Sequence, residues 1–140
     1  MRRLALIVAF FFAALGTLGM VLRGASYAYA GESIRQEDLQ RFYQDINRTS
    51  FDGKLPDLPV RWGDLTEADA YGITRFDRDV PYAMELDRQT VRSKSFALDV
   101  IRHESCHIAT NREAKRHKED PHGLTFVACM ARVQENETSD

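Results

Sequence analysis

Cysteine occurs only twice in these 140 residues, and proline four times. Two cysteines cannot build a disulfide-rich scaffold or a Cys-rich zinc ribbon. There are no internal repeats and no low-complexity tracts, which excludes solenoids and proline-rich linkers. An excess of positive charge is missing too: 19 Lys and Arg stand against 21 Asp and Glu. Arg2, Arg3 and Arg23 are the only charges before Gly31, so the remainder holds 16 basic and 21 acidic residues, a net of −5 (−2 minus +3). So small an acidic domain binds phosphate backbones poorly, and no nucleic-acid partner is expected.

One stretch lacks charge altogether. Leu4 to Leu22, 19 residues, follows Arg2-Arg3 and precedes Ala28-Tyr29-Ala30. A positive start, an apolar middle and an A-x-A site make a signal peptide of residues 1–30. Nineteen apolar residues also suffice to span a bilayer, so an uncleaved membrane anchor over residues 4–22 is the rival expectation. Gly16, Thr17 and Gly19 dilute the second half and favour cleavage. Either way the chain is expected to be exported, secreted or periplasmic. About 110 residues then remain, enough for one modest core. A polar, disordered tail is expected over residues 134–140.

The chemistry lies in His103-Glu104-Ser105-Cys106-His107. Residues i and i+4 of a helix share a face, so both imidazoles can reach one metal ion with Glu104 beside them. This HExxH pattern pairs two zinc ligands with a carboxylate able to act on the zinc-bound water. The surrounding sequence is helical: Ser93 and Ser95 are candidate N-caps. Phe96, Val100, His103 and His107 make an inward stripe, and Leu98, Ile101, Ser105 and Ile108 a second one beside it. Asn111 is the expected end. Cys106 lies about 100° around the helix from His107, which disfavours it as a ligand.

A catalytic zinc needs a third protein ligand, and only His117 and His122 remain. His117 falls in Lys115-Arg116-His117-Lys118-Glu119-Asp120, which reads as a solvated loop. His122 follows Asp120-Pro121, an N-cap and first-turn signal for a helix carrying Leu124, Phe126, Val127, Met130 and Val133. Rigidity favours His122.

These residues resemble the SprT-like metallopeptidase domain. The likeness rests on the HExxH pair, fourteen intervening residues, then His122-Gly123 with Phe126 three residues later. Upstream, Phe42 to Asn47 and Phe51-Asp52-Gly53-Lys54-Leu55-Pro56 look like the family's opening helix and its F-x-G-x-L-P turn. Val60-Arg61-Trp62, Ala70-Tyr71-Gly72 and Met84-Glu85-Leu86 are similar to its sheet segments. The resemblance covers about residues 36–133, within a domain set at 31–133. It implies a zinc metallopeptidase with Glu104 as general base and His103, His107 and His122 as ligands of Zn²⁺. It also implies a minimal zincin fold of the α+β class: an N-terminal helix, a small antiparallel three-stranded sheet, the HExxH helix, and a C-terminal helix carrying the third ligand.

The residue patterns agree with that fold class. Leu39, Phe42, Tyr43 and Ile46 fall at helical spacing. Val60 with Trp62, Tyr71 with Ile73 and Phe76, and Tyr82 with Met84 and Leu86 give three strands. Pro81 to Asp87 is the expected sheet edge for an added substrate strand. Tyr71 and Tyr82 are candidate oxyanion donors, although core packing is the expected role of both. Cys106 and Cys129 either bridge the two ligand-bearing helices or remain buried thiols, and a cysteine between the motif histidines is frequent in SprT-like sequences, which suggests packing. Asn47-Arg48-Thr49 and Asn136-Glu137-Thr138 match the glycosylation sequon, which has force only in a eukaryotic secretory pathway.

Three functions compete: an exported zinc endopeptidase acting on protein or peptide, a zinc-binding interaction module without turnover, and an intracellular DNA–protein crosslink protease. Intact Glu104 counts against the second, and only family analogy favours the third.

Overall fold

A computed structural model describes residues 33–137, so the expected export segment and residues 138–140 lie outside the described part. No helix among the described residues is long and apolar enough to cross a membrane. The order is α1 (Gln36–Ser50), β1 (Val60–Gly63), a 3-10 turn (Thr66–Ala68), β2 (Gly72–Asp77), β3 (Val80–Asp87), α2 (Lys94–His117) and α3 (Leu124–Glu137). This is an α+β fold in which α1 and α2 pack on one small sheet and α3 packs on those two helices.

Leu39, Phe42, Tyr43 and Ile46 are buried along one face of α1 as their spacing requires. They meet Val60, Met84 and Leu86 of the sheet, Ala97, Ile101 and Cys106 of α2, and Phe126, Cys129 and Val133 of α3 in one core. At the end of α1, Asn47 clasps the turn that follows. Its side-chain amide donates to Leu55 O and accepts from Leu55 N, at 3.1 and 3.0 Å. Within that turn Asp52 and Gly53 both take positive φ. The amide of the first sequon is therefore committed to the fold.

The three strands form where the alternation places them, but the sheet is mixed and not antiparallel. Its order is β1-β3-β2, with β1 parallel and β2 antiparallel to β3. The chain from β1 crosses the end of β3 before β2 begins. Buried Asp87, at the end of β3, ties that crossover down by accepting from Leu65 N at 3.0 Å and from Thr90 N and Oγ1 at 2.9 and 2.7 Å. Pro81 to Asp87 is consequently the central strand, hydrogen-bonded on both sides, and cannot serve as the substrate edge.

The two true edges are treated differently. Gln36 and Gln40, one turn apart on α1, stand in for a strand beside β1. Gln36 donates to Val60 O and accepts from Trp62 N, at 2.7 and 3.1 Å. Gln40 donates to Leu58 O and accepts from Val60 N, at 3.1 and 2.9 Å. With β1 covered, β2 is the edge left for another strand.

Three helix boundaries depart from expectation. α2 runs past Asn111 to His117, because no Gly or Pro interrupts it and Thr110 and Ala114 are still buried. It stops at Lys118, which is left-handed with φ 56°, its N–H returning to the carbonyls of Ala114 and Lys115. α3 starts at Leu124, not Pro121, and continues to Glu137, so the segment from Gln134 to Glu137 is helical and not disordered.

Candidate metal centre and active site

Ser93 caps α2 by accepting the N–H of Phe96 at 3.2 Å, while Ser95 lies inside the helix. From that start the helix carries Phe96, Val100, His103 and His107 along the wall of a cleft of about 750 Å³, with β2 opposite. The most buried line of α2 is the neighbouring one, with Ala97, Ile101 and Ser105 at 0 % exposure.

The third histidine is brought in by a turn. Pro121, His122 and Gly123 lie between the helices, so His122 precedes α3 instead of occupying its first turn. Asp120 accepts from His122 N through Oδ1 at 3.0 Å and from Gly123 N through its carbonyl at 2.8 Å. Glu119 caps α3, receiving Thr125 N and Thr125 Oγ1, both at 2.9 Å. A Cβ at Gly123 would lie 2.9 Å from the Asp120 carbonyl, so the turn closes only around glycine. His117 ends α2, exposed, and ten residues past His107 means about 15 Å along the axis. It takes no part.

The Nε2 atoms of His103, His107 and His122 form a triangle with sides of 3.1, 3.1 and 3.2 Å. An Nε2 either donates or accepts, never both, so no placement of protons satisfies all three pairs. A cation at their centre does. Tetrahedral Zn–N bonds of about 2.0–2.1 Å require nitrogens about 3.3–3.4 Å apart, close to the observed spacing. Burial depresses the basicity of His103, aided by His122. Burial with both neighbouring histidines takes His107 down to about 4. Neutral imidazoles are the ligating form.

Phe126 forms the floor of this triangle. Its ring stacks on His107 at 4.5 Å and 29°, and meets His103 and His122 edge-on at 4.9 and 4.8 Å. Glu104 lies against β2 at 5 % exposure. Thr74 Oγ1 donates to its Oε2 at 2.8 Å. Burial raises the Glu104 carboxyl, opposed by the hydroxyl and amide of Thr74 and by His122. Gly72 makes this approach possible, since a Cβ there would lie 2.5 Å from Val100 Cγ1 and 3.2 Å from Glu104 Cγ.

The three histidines singled out in the sequence come together, with Glu104 beside them, whereas Thr74, Gly72 and Glu119 carry no motif. Only Gly72 left a trace, as part of a short sheet match. Tyr71 and Tyr82 are 59 % and 53 % exposed, so neither packs in the core. Tyr71 lines the cleft beside Phe96, with ring centroids 5.1 Å apart, whereas Tyr82 does not line it. Cys106 and Cys129 are joined in a disulfide, with Cα atoms 5.8 Å apart, tying the metal helix to α3.

The sequence profile of the SprT-like family matches residues 39–139. No curated protein and no solved structure matches the chain.

Proposed function

The chain belongs to the SprT-like family, and on that premise we propose that it is an exported zinc endopeptidase. The observation that carries the catalytic part is the convergence of three Nε2 atoms beside a buried carboxylate. Zinc, when bound by His103, His107 and His122, supplies a Lewis acid that acidifies water and polarises a carbonyl.

The remaining work belongs to the chain. Glu104 Oε2 is engaged by Thr74, which leaves Oε1 to accept the proton of the attacking water. The same carboxyl then delivers that proton to the departing amine, so one water and one peptide bond become a carboxylic acid and an amine, ionised to carboxylate and ammonium at neutral pH. The free edge of β2, running along the cleft, is where a substrate strand adds; main-chain hydrogen bonds there suit peptides of varied sequence. Tyr71 at the mouth is the nearer of the two tyrosines to such a substrate.

Export is supported by the sequence of residues 1–30 alone, as a cleaved signal or an anchor. Fractionation with N-terminal sequencing tests it, and intact chain recovered from the cytoplasm would refute it.

For the activity, metal content and cleavage of an unfolded protein are measured for wild type, Glu104→Gln, His122→Ala and His117→Ala. We expect Glu104→Gln to keep zinc and to lose about 10²–10⁴-fold in rate. His122→Ala should lose zinc and His117→Ala keep it. Equal cleavage by wild type and Glu104→Gln would refute the mechanism. A zinc-loaded wild type without cleavage on any protein would make the chain a binding module.

A further inference from the structure

The contact between β2 and Glu104 has a use beyond packing. We infer that Thr74 is a positioning residue that aims the Glu104 carboxylate, an inference that rests on the peptidase reading above.

Glu104 directly follows His103, so the helix turns its Cβ about 100° away from that ligand. Its carboxylate must therefore be steered back along a side chain with three torsions, each of which loses freedom when fixed. The helix itself offers no partner for this. Thr74 does: its hydroxyl donates to Oε2 at 2.8 Å, and lies 3.4 Å from the Glu104 carbonyl.

Thr74 is well placed to be rigid. It sits in mid-strand, paired with fully buried Met84 of the central strand, and threonine is stiff about χ1. Gly72 lets the Glu104 side chain lie close against β2, its missing Cβ falling 3.2 Å from Cγ and 3.3 Å from Oε1. The hydroxyl engages Oε2 and not Oε1. The division suits a base that must meet water with one oxygen while its direction is fixed by the other.

Thr74→Val removes the hydroxyl and keeps the shape, whereas Thr74→Ser keeps the hydroxyl. With zinc loaded, Thr74→Val should lower kcat about 10–100-fold, the usual effect of losing an orienting partner, with KM and zinc affinity unchanged. Thr74→Ser should restore most of kcat. In a Glu104→Gln background, Thr74→Val should cost nothing further, because the group it steers is already disabled.

A second readout needs neither metal nor turnover. In the zinc-free protein, unfolding of Thr74→Val, Glu104→Ala and the double variant closes a cycle. A hydrogen bond to a charged group should appear as a coupling of roughly tenfold or more in the unfolding equilibrium constant. Additive effects in this cycle, or a Thr74→Val loss that persists undiminished beside Glu104→Gln, would overturn the inference. If wild type cleaves nothing, the peptidase reading fails by itself, and the zinc-free cycle still decides whether Thr74 holds Glu104.

Discussion

The ring of Phe126 lies flat against that of His107, 4.5 Å between centroids, while its edges meet the other two histidines. One core side chain thus touches all three clustered histidines. Phe126 is 5 % exposed, and Phe126→Ala should cost about 3–5 kcal/mol of stability. Zinc affinity should fall by roughly 10–100-fold, as for other supports of ligand orientation. Denaturant unfolding and zinc competition titration check both. Unchanged zinc affinity in a folded Phe126→Ala protein would show that the turn alone positions His122.

Gly72 is required by contact, not by backbone freedom. Gly72→Ala puts a methyl 2.5 Å from Val100 Cγ1, so β2 must withdraw from α2. A stability loss of about 1–3 kcal/mol is expected. The double variant Gly72→Ala/Val100→Ala should recover part of it by making room. Melting of the two variants side by side decides, and no recovery would mean that the clash lies elsewhere.

The metal-free protein should weaken as the pH falls. An unfolded histidine titrates near 6.5, whereas burial and its neighbours hold folded His107 at about 4. The unfolded chain therefore binds the extra proton first. The penalty is absent above pH 6.5, grows below it, and is complete below about 4. Glu104, raised by burial, acts in the opposite sense, so a control is needed. His107→Gln should show a flatter decline than wild type between pH 7.5 and 5 with chelator present. Identical slopes would refute this assignment.

The Cys106–Cys129 bridge closes a loop with a sequence separation of 23 residues. Loop-closure entropy for that length puts its contribution at about 3 kcal/mol. Cys106→Ala/Cys129→Ala should lose about that much in denaturant unfolding. Because α3 carries Phe126 and begins two residues after His122, zinc affinity should weaken as well. A variant as stable as wild type would show that core packing alone holds α3 in place.

How much of this was legible in the chain depends on range. Periodicity within a few residues placed α1, the three strands and the histidine pair, because i, i+4 spacing and strand alternation are local geometry. Boundaries were less secure: Asn111 looked like a stop, yet burial of Ala114 three residues later carries the helix on to His117.

What the sequence by itself determined is the residue pattern on one helix: His103 and His107 one turn apart, with Glu104 between. It also singled out His122 as the third histidine of the cluster, since Asp120-Pro121 announces a structured turn. Tertiary structure decided the rest. Alternation in Tyr82, Met84 and Leu86 reads the same whether a strand has one neighbour or two, so only folding made β3 central and left β2 as the open edge. Only folding, too, joined Cys106 to Cys129 and set Thr74 against Glu104, thirty residues away. Such contacts arise from packing between elements, which no local pattern in the chain records.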